Sequence, residues 1–135
     1  MLASEQYPQG LGPTVPVIRE LLSATAMMEK TCFACTAEPS CWQRIVVCEC
    51  AQWILVGVET HVCVLQTALG LLEAGKAVYV VADCTASRRS RDAELALARL
   101  RAEGVRVVTR EMVAFEWLHQ AGTKRFREIS QRFLK

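Results

Sequence analysis

The chain has 135 residues, 52% of them apolar and 22% charged, with a formal net charge of +2. That balance suits one globular domain, 1–135, with a single core, and argues against a disordered chain. The charge is too small to argue for a nucleic-acid partner, and no apolar run reaches membrane-spanning length.

Residues 1–13 hold Pro8, Gly10, Gly12 and Pro13 and read as an irregular loop. Thr14 is placed as the N-cap of a short helix running to about Leu22, with Val15, Ile18, Leu21 and Leu22 as its apolar stripe. Ala26 to Lys30 is a short strand that delivers Lys30 at its carboxyl end, and 32–39 is a loop. Ile45, Val46 and Val47 favour a strand by propensity, but a crossover between parallel strands needs a helix, so 41–51 is assigned helical.

Trp53 to Leu72, WILVGVETHVCVLQTALGLL, organises the rest. Trp53 to Val58 is a short apolar run suited to a strand covered on both faces. After Glu59-Thr60-His61, Leu65, Ala68, Leu69 and Leu72 recur at helical spacing until Gly75. Downstream come a strand at 77–82 ending at Asp83, a polar loop at 84–90 and a helix capped by Ser90 that stops at Gly104. A strand at 105–109, a helix at 111–120 and a last helix capped by Thr123 follow, the last with Phe126, Ile129 and Phe133 inward. The alternation defines an α/β class with a parallel sheet.

The seven cysteines are an odd number without a signal-peptide pattern, which reads as reduced thiols of a cytoplasmic protein. Cys32-x-x-Cys35 with Cys48-x-Cys50 is one residue short of a usual zinc knuckle, so no metal is assigned. Cys63 lies where a strand hands over to a helix. Open α/β sheets put ligands there, and helix-start N–H groups favour a thiolate over a thiol. Most cysteines are packing residues, and that reading stands beside the catalytic one. Glu59 and His61 suggest a Cys–His–Glu set, but all three share one turn, whereas catalytic partners usually converge from distant segments.

The segments VGVETHVCVLQTALGLLEAG and VYVVADCTASR resemble the nucleophile region of isochorismatase-like cysteine hydrolases, and EQYPQGLGPTVPVI resembles the metal-free group of that superfamily. The resemblance implies a three-layer α/β/α Rossmann-like parallel sheet and hydrolysis of a C–N or ether-type bond in a small-molecule substrate, without a cofactor. It implies Cys63 as nucleophile. Lys30 is the cation beside it, in a Glu-Lys-x-x-Phe segment. The backbone amides of Glu59 and Cys63 become oxyanion donors, with a cis peptide between Val58 and Glu59.

The family's aspartate belongs to a first strand for which this sequence shows no match, so the family domain reads as N-terminally truncated. Asp83 and Asp92 read as structural. Missing such an acid–base group costs typically 10²- to 10⁴-fold in rate. A gap is therefore expected between the strand at 26–30 and the strand at 53–58, leaving an apolar edge that favours a homo-oligomer. The alternative function is a non-catalytic interaction module on the same fold.

Overall fold

The computed structural model describes residues 1–134. In chain order the elements are β1 (Ala3–Gln6), α1 (Pro8–Leu11), α2 (Pro16–Arg19), β2 (Met27–Lys30), α3 (Pro39–Val47) and β3 (Gln52–Val58). There follow a single π-type turn at Thr60–Val64, α4 (Leu65–Glu73), β4 (Ala77–Ala86), α5 (Ser90–Ala102), β5 (Arg106–Val108), α6 (Arg110–Leu118) and α7 (Lys124–Phe133). All strand pairs are parallel. β1 pairs with β2, and separately β3, β4 and β5 pair in that order. The architecture is the three-layer, Rossmann-like α/β fold.

The core forms where the apolar stripes of three helices meet β4. Ile45 of α3, Val64, Ala68 and Leu71 around α4, Val78 and Val80 of β4, Leu100 of α5, and Val105 are all buried together. The deepest α4 stripe is thus Val64–Ala68–Leu71, one residue round from the expected Leu65, Ala68, Leu69 and Leu72. Leu65, Leu69 and Leu72 pack half-buried at its flank.

Several expected boundaries move, each for a local reason. Ala3–Gln6 is a strand rather than loop, because its Pro and Gly punctuation starts only at Pro8 and the four residues before it pair with β2. The α2 segment is one helical turn starting at Pro16, preceded by Val15 rather than Thr14, and Val15, Val17, Ile18 and Leu21 are exposed. Residues 39–47 are helical, and the crossover from β2 to β3 needs them so. β4 continues through Asp83 to Ala86, beyond the expected end at Ala82. Arg89, not Ser90, holds the N-cap of α5 and makes no side-chain cap bond. Thr123 does cap α7, accepting the Phe126 N–H at 3.0 Å, whereas Phe133 is exposed.

β3 departs from expectation in exposure. Ile54, Val56 and Val58 alternate outward and are exposed, so one face is bare. The strand pairs with β4 alone among the described residues, and the two sheets share no ladder. The smaller sheet holds β1 beside the strand at 27–30, so two strands, not one, precede the break in the chain.

Candidate active site

Both sheets end at the same place. β2 delivers Lys30, and its register partner on β1 is Gln6. The chain leaves β1 through Tyr7, which has a positive φ of 42° and whose N–H donates to the Lys30 carbonyl at 2.8 Å. β3 delivers Glu59 across the Val58–Glu59 peptide, which is cis. The π-type turn then carries Cys63, so the helix reaches its regular α-form only at Leu65. Such turns recur at functional sites because they re-aim one side chain.

The β3–β4 pairing shapes this turn. Its register shifts between Leu55 and Gly57, so that Val58 pairs with Ala86. Gly57 sits in the shift at φ 117°, a conformation that only glycine adopts without strain. The shift puts Ser87 and Arg88 beside the turn. Arg88 donates its backbone N–H and Nε–H to Glu59 Oε1 at 3.2 and 2.8 Å. His61 Nδ1 lies 2.9 Å from Ser87 Oγ, and the His61 N–H donates to the same oxygen at 3.4 Å.

Lys30 and Cys63 come together. Lys30 is 4% exposed, and its Nζ lies 3.6 Å from Cys63 Sγ. The ammonium also donates to the carbonyls of Cys32 (3.1 Å) and Phe33 (2.7 Å) and to Gln6 Oε1. Gln6 Oε1 in turn stands 3.8 Å from Cys63 Sγ, while Gln6 Nε2–H donates to the Thr31 carbonyl at 2.7 Å. Cys63 is half-buried, so its sulfur sits at the wall of the site. An ammonium this deeply buried normally needs a charged partner. Among its contacts here, only the sulfur can become an anion.

The other sequence candidates lie elsewhere. His61 and Glu59 approach each other at 3.9 Å, but their hydrogen bonds go to Ser87 and Arg88, not to Cys63. Asp83 Oδ1 accepts the Arg110 N–H at 2.8 Å at the start of α6. Asp92 lines a cavity of about 290 Å³ with Arg88 and Arg89. The seven cysteines are free thiols. Gln6 is the residue that sequence reasoning missed. Its signal was its place in the EQYPQGLG segment, one position before the chain turns at Tyr7.

Loop 31–38 closes the site from the α4 side. The Cys35 N–H donates to Thr67 Oγ1 at 3.0 Å, and Thr36 lies directly over Gly70 of α4. Glu38 Oε2 accepts the N–H groups of Thr31 (2.9 Å) and Cys32 (3.2 Å), and these bonds hold its carboxyl below the ordinary carboxylate range.

A parallel α/β sheet with a cysteine on the turn after β3, faced by a buried lysine, defines a class of proteins that present a thiol at the carboxyl ends of their strands. The chain belongs to the isochorismatase domain family, whose model matches residues 10–112. It is 41% identical over 131 residues to isochorismatase domain-containing protein 2 of Bos taurus, covering 95% of this chain and 61% of that protein. The solved structure of the MAR1 ribonuclease from Caenorhabditis elegans superposes with a TM-score of 0.85 at 34% identity, covering 98% of this chain and 68% of that one. The YcaC gene product of Escherichia coli, an octameric hydrolase of unknown specificity, shares the fold with a TM-score of 0.82 at 20% identity over 98% of this chain and 72% of that one. The chain spans 45% to 65% of the length of the curated relatives it matches.

Proposed function

We propose that this chain is a cysteine hydrolase acting on a C–N or ether-type bond of a small molecule, with Cys63 as nucleophile and Lys30 as its cationic partner. The 3.6 Å separation of Lys30 Nζ and Cys63 Sγ carries the reading. The sulfur attacks the electrophilic carbon and forms a C–S bond as the C–N or C–O bond breaks, the amine or alcohol leaving with a proton; water then cleaves the C–S bond and restores the thiol. The amides of Glu59 and Cys63 bracket the turn and are assigned to the developing oxyanion. Gln6, touching both Lys30 and the sulfur, orients the pair and faces the substrate. The acid–base group belongs to no carboxylate in contact with Cys63 or Lys30 among the described residues, so turnover by this chain alone is expected to be slow.

A panel of carboxamides and enol ethers, assayed with the wild type and Cys63→Ser, tests this. Turnover that falls on the order of 10³-fold or more in Cys63→Ser supports the nucleophile. Equal turnover by the two proteins refutes it.

The bare apolar edge of β3 favours a second reading, an interaction module that binds partners by strand addition and exists as a homo-oligomer. A wild type that converts no member of the panel, yet associates through β3, would leave that reading standing.

A further inference from the structure

Two consecutive peptide groups beside the site share one orientation. In a planar trans peptide the N–H and the preceding C=O point opposite ways. The Thr31 N–H points to Glu38, so the Lys30 carbonyl points away from Glu38 and accepts the Tyr7 N–H at 2.8 Å. The Cys32 N–H also points to Glu38, so the Thr31 carbonyl points away and accepts from Gln6 Nε2 at 2.7 Å. The next two carbonyls, of Cys32 and Phe33, then meet the Lys30 ammonium. Four successive carbonyls thus serve the end of β1 and the buried cation, while one carboxylate gathers the N–H groups behind the first two.

We propose that Glu38 is a positioning residue for the Lys30–Cys63 pair, fixing the 30–33 backbone so that its carbonyls hold Lys30 and Gln6 against the sulfur. This rests on the reading of Cys63 and Lys30 as the site. Both backbone N–H groups and the Thr31 hydroxyl, 3.4 Å away, converge on one carboxylate oxygen, Oε2, whose negative charge suits it to several donors. Charge-assisted bonds of this kind are roughly twice as strong as neutral ones. The low-held carboxyl of Glu38 agrees with that geometry. The far end of the loop is tied independently, through Cys35 to Thr67, so Glu38 governs the near end.

The test is peptide-resolved alkylation by iodoacetamide at pH 7.5, with the rate at Cys63 referred to exposed Cys50 in the same sample. It compares the wild type with Glu38→Ala, Glu38→Gln and Lys30→Met, alongside amide exchange at Thr31 and Cys32. Glu38→Ala is expected to slow Cys63 on the order of fivefold to tenfold and to speed exchange at both amides. Glu38→Gln keeps one acceptor oxygen and is expected to recover part of the rate. Recovery of that kind separates positioning from a general loss of stability. Should Glu38→Ala fail to fold, Glu38→Leu, which keeps the bulk but no acceptor oxygen, decides instead: a Cys63 rate within twofold of wild type overturns the proposal. If Lys30→Met slows Cys63 and Glu38→Ala leaves it unchanged, Glu38 has no positioning role and the site reading survives. If Lys30→Met itself leaves Cys63 unchanged, the Lys30–Cys63 reading falls and takes this proposal with it.

Discussion

Gly70→Ala places a methyl group where loop 31–38 meets α4. The added carbon overlaps Thr36 Oγ1 and comes within 2.9 Å of Thr36 Cβ and 3.1 Å of its Cγ2. Rotating the Thr36 side chain moves the hydroxyl and methyl but not Cβ, which is fixed to the backbone, so the loop itself must shift. Overpacking of this kind costs about 1–3 kcal/mol. The change also removes a glycine from a helix interior, which returns about 1 kcal/mol. The net expectation is a loss of up to about 2 kcal/mol. With an unfolding entropy of ~2.1 cal/mol/K per residue, that lowers Tm by up to roughly 7 °C. The same shift draws the Cys32 and Phe33 carbonyls off Lys30 and slows alkylation at Cys63. Calorimetry on Gly70→Ala, Thr36→Gly and the double variant isolates the contact. In the Thr36→Gly background, alanine at 70 is expected to be neutral or stabilising. A single variant with wild-type Tm and wild-type Cys63 reactivity would refute the claim that helix and loop meet without room for a methyl group.

Leu71→Ala, at a side chain with 0% exposure in the centre of the core, is expected to cost about 2–5 kcal/mol in chemical denaturation. Glu5 Oε1 accepts the Thr14 N–H at 2.6 Å, and this bond, like the Thr31 and Cys32 bonds to Glu38, holds a carboxyl below its ordinary value of 4.5. A depressed carboxyl stabilises the fold above its unfolded value and loses that contribution as pH falls through its folded one. Tm is therefore expected to decline below about pH 4.5, and Glu5→Gln and Glu38→Gln should each flatten part of that decline in a pH series of thermal melts. Val56→Lys, on the bare edge strand β3, is expected to leave the unfolding free energy within about 0.5 kcal/mol of wild type while reducing association in light scattering. Undiminished association would move the contact surface away from β3.

The fold class was legible because the strand-to-helix alternation is written in apolar spacing, and the helix expected at 41–51, observed at 39–47, came from a connection rule that overrode β-propensity. The Lys30 and Cys63 positions came from motif order, and the structure brings them within 3.6 Å. Gln6 escaped notice because polar strand residues carry no period and its role exists only through pairing with Lys30. The same blindness hid β1, whose four residues earn their conformation from β2 rather than from composition. The exposure of β3 was misjudged for the converse reason: an apolar run records what a strand can bury, not what lies beside it. Glu38 was unreadable too, since its partners are backbone N–H groups that every sequence possesses.

The break between the two sheets gives the thiol a second use, as a gauge of docking. Residues 52–108 hold three strands and two helices in one contiguous stretch, while Lys30 and Gln6 belong to a separate two-stranded unit. Among the described residues no ladder hydrogen bond joins the units, so the large one is expected to keep its secondary structure while the Lys30–Cys63 contact opens and closes. Sub-global openings of that sort cost less than full unfolding. In mild denaturant, Cys63 should therefore lose its distinctive reactivity before the helical circular dichroism signal falls. The interval between the two midpoints would measure how firmly the small sheet is seated on the large one.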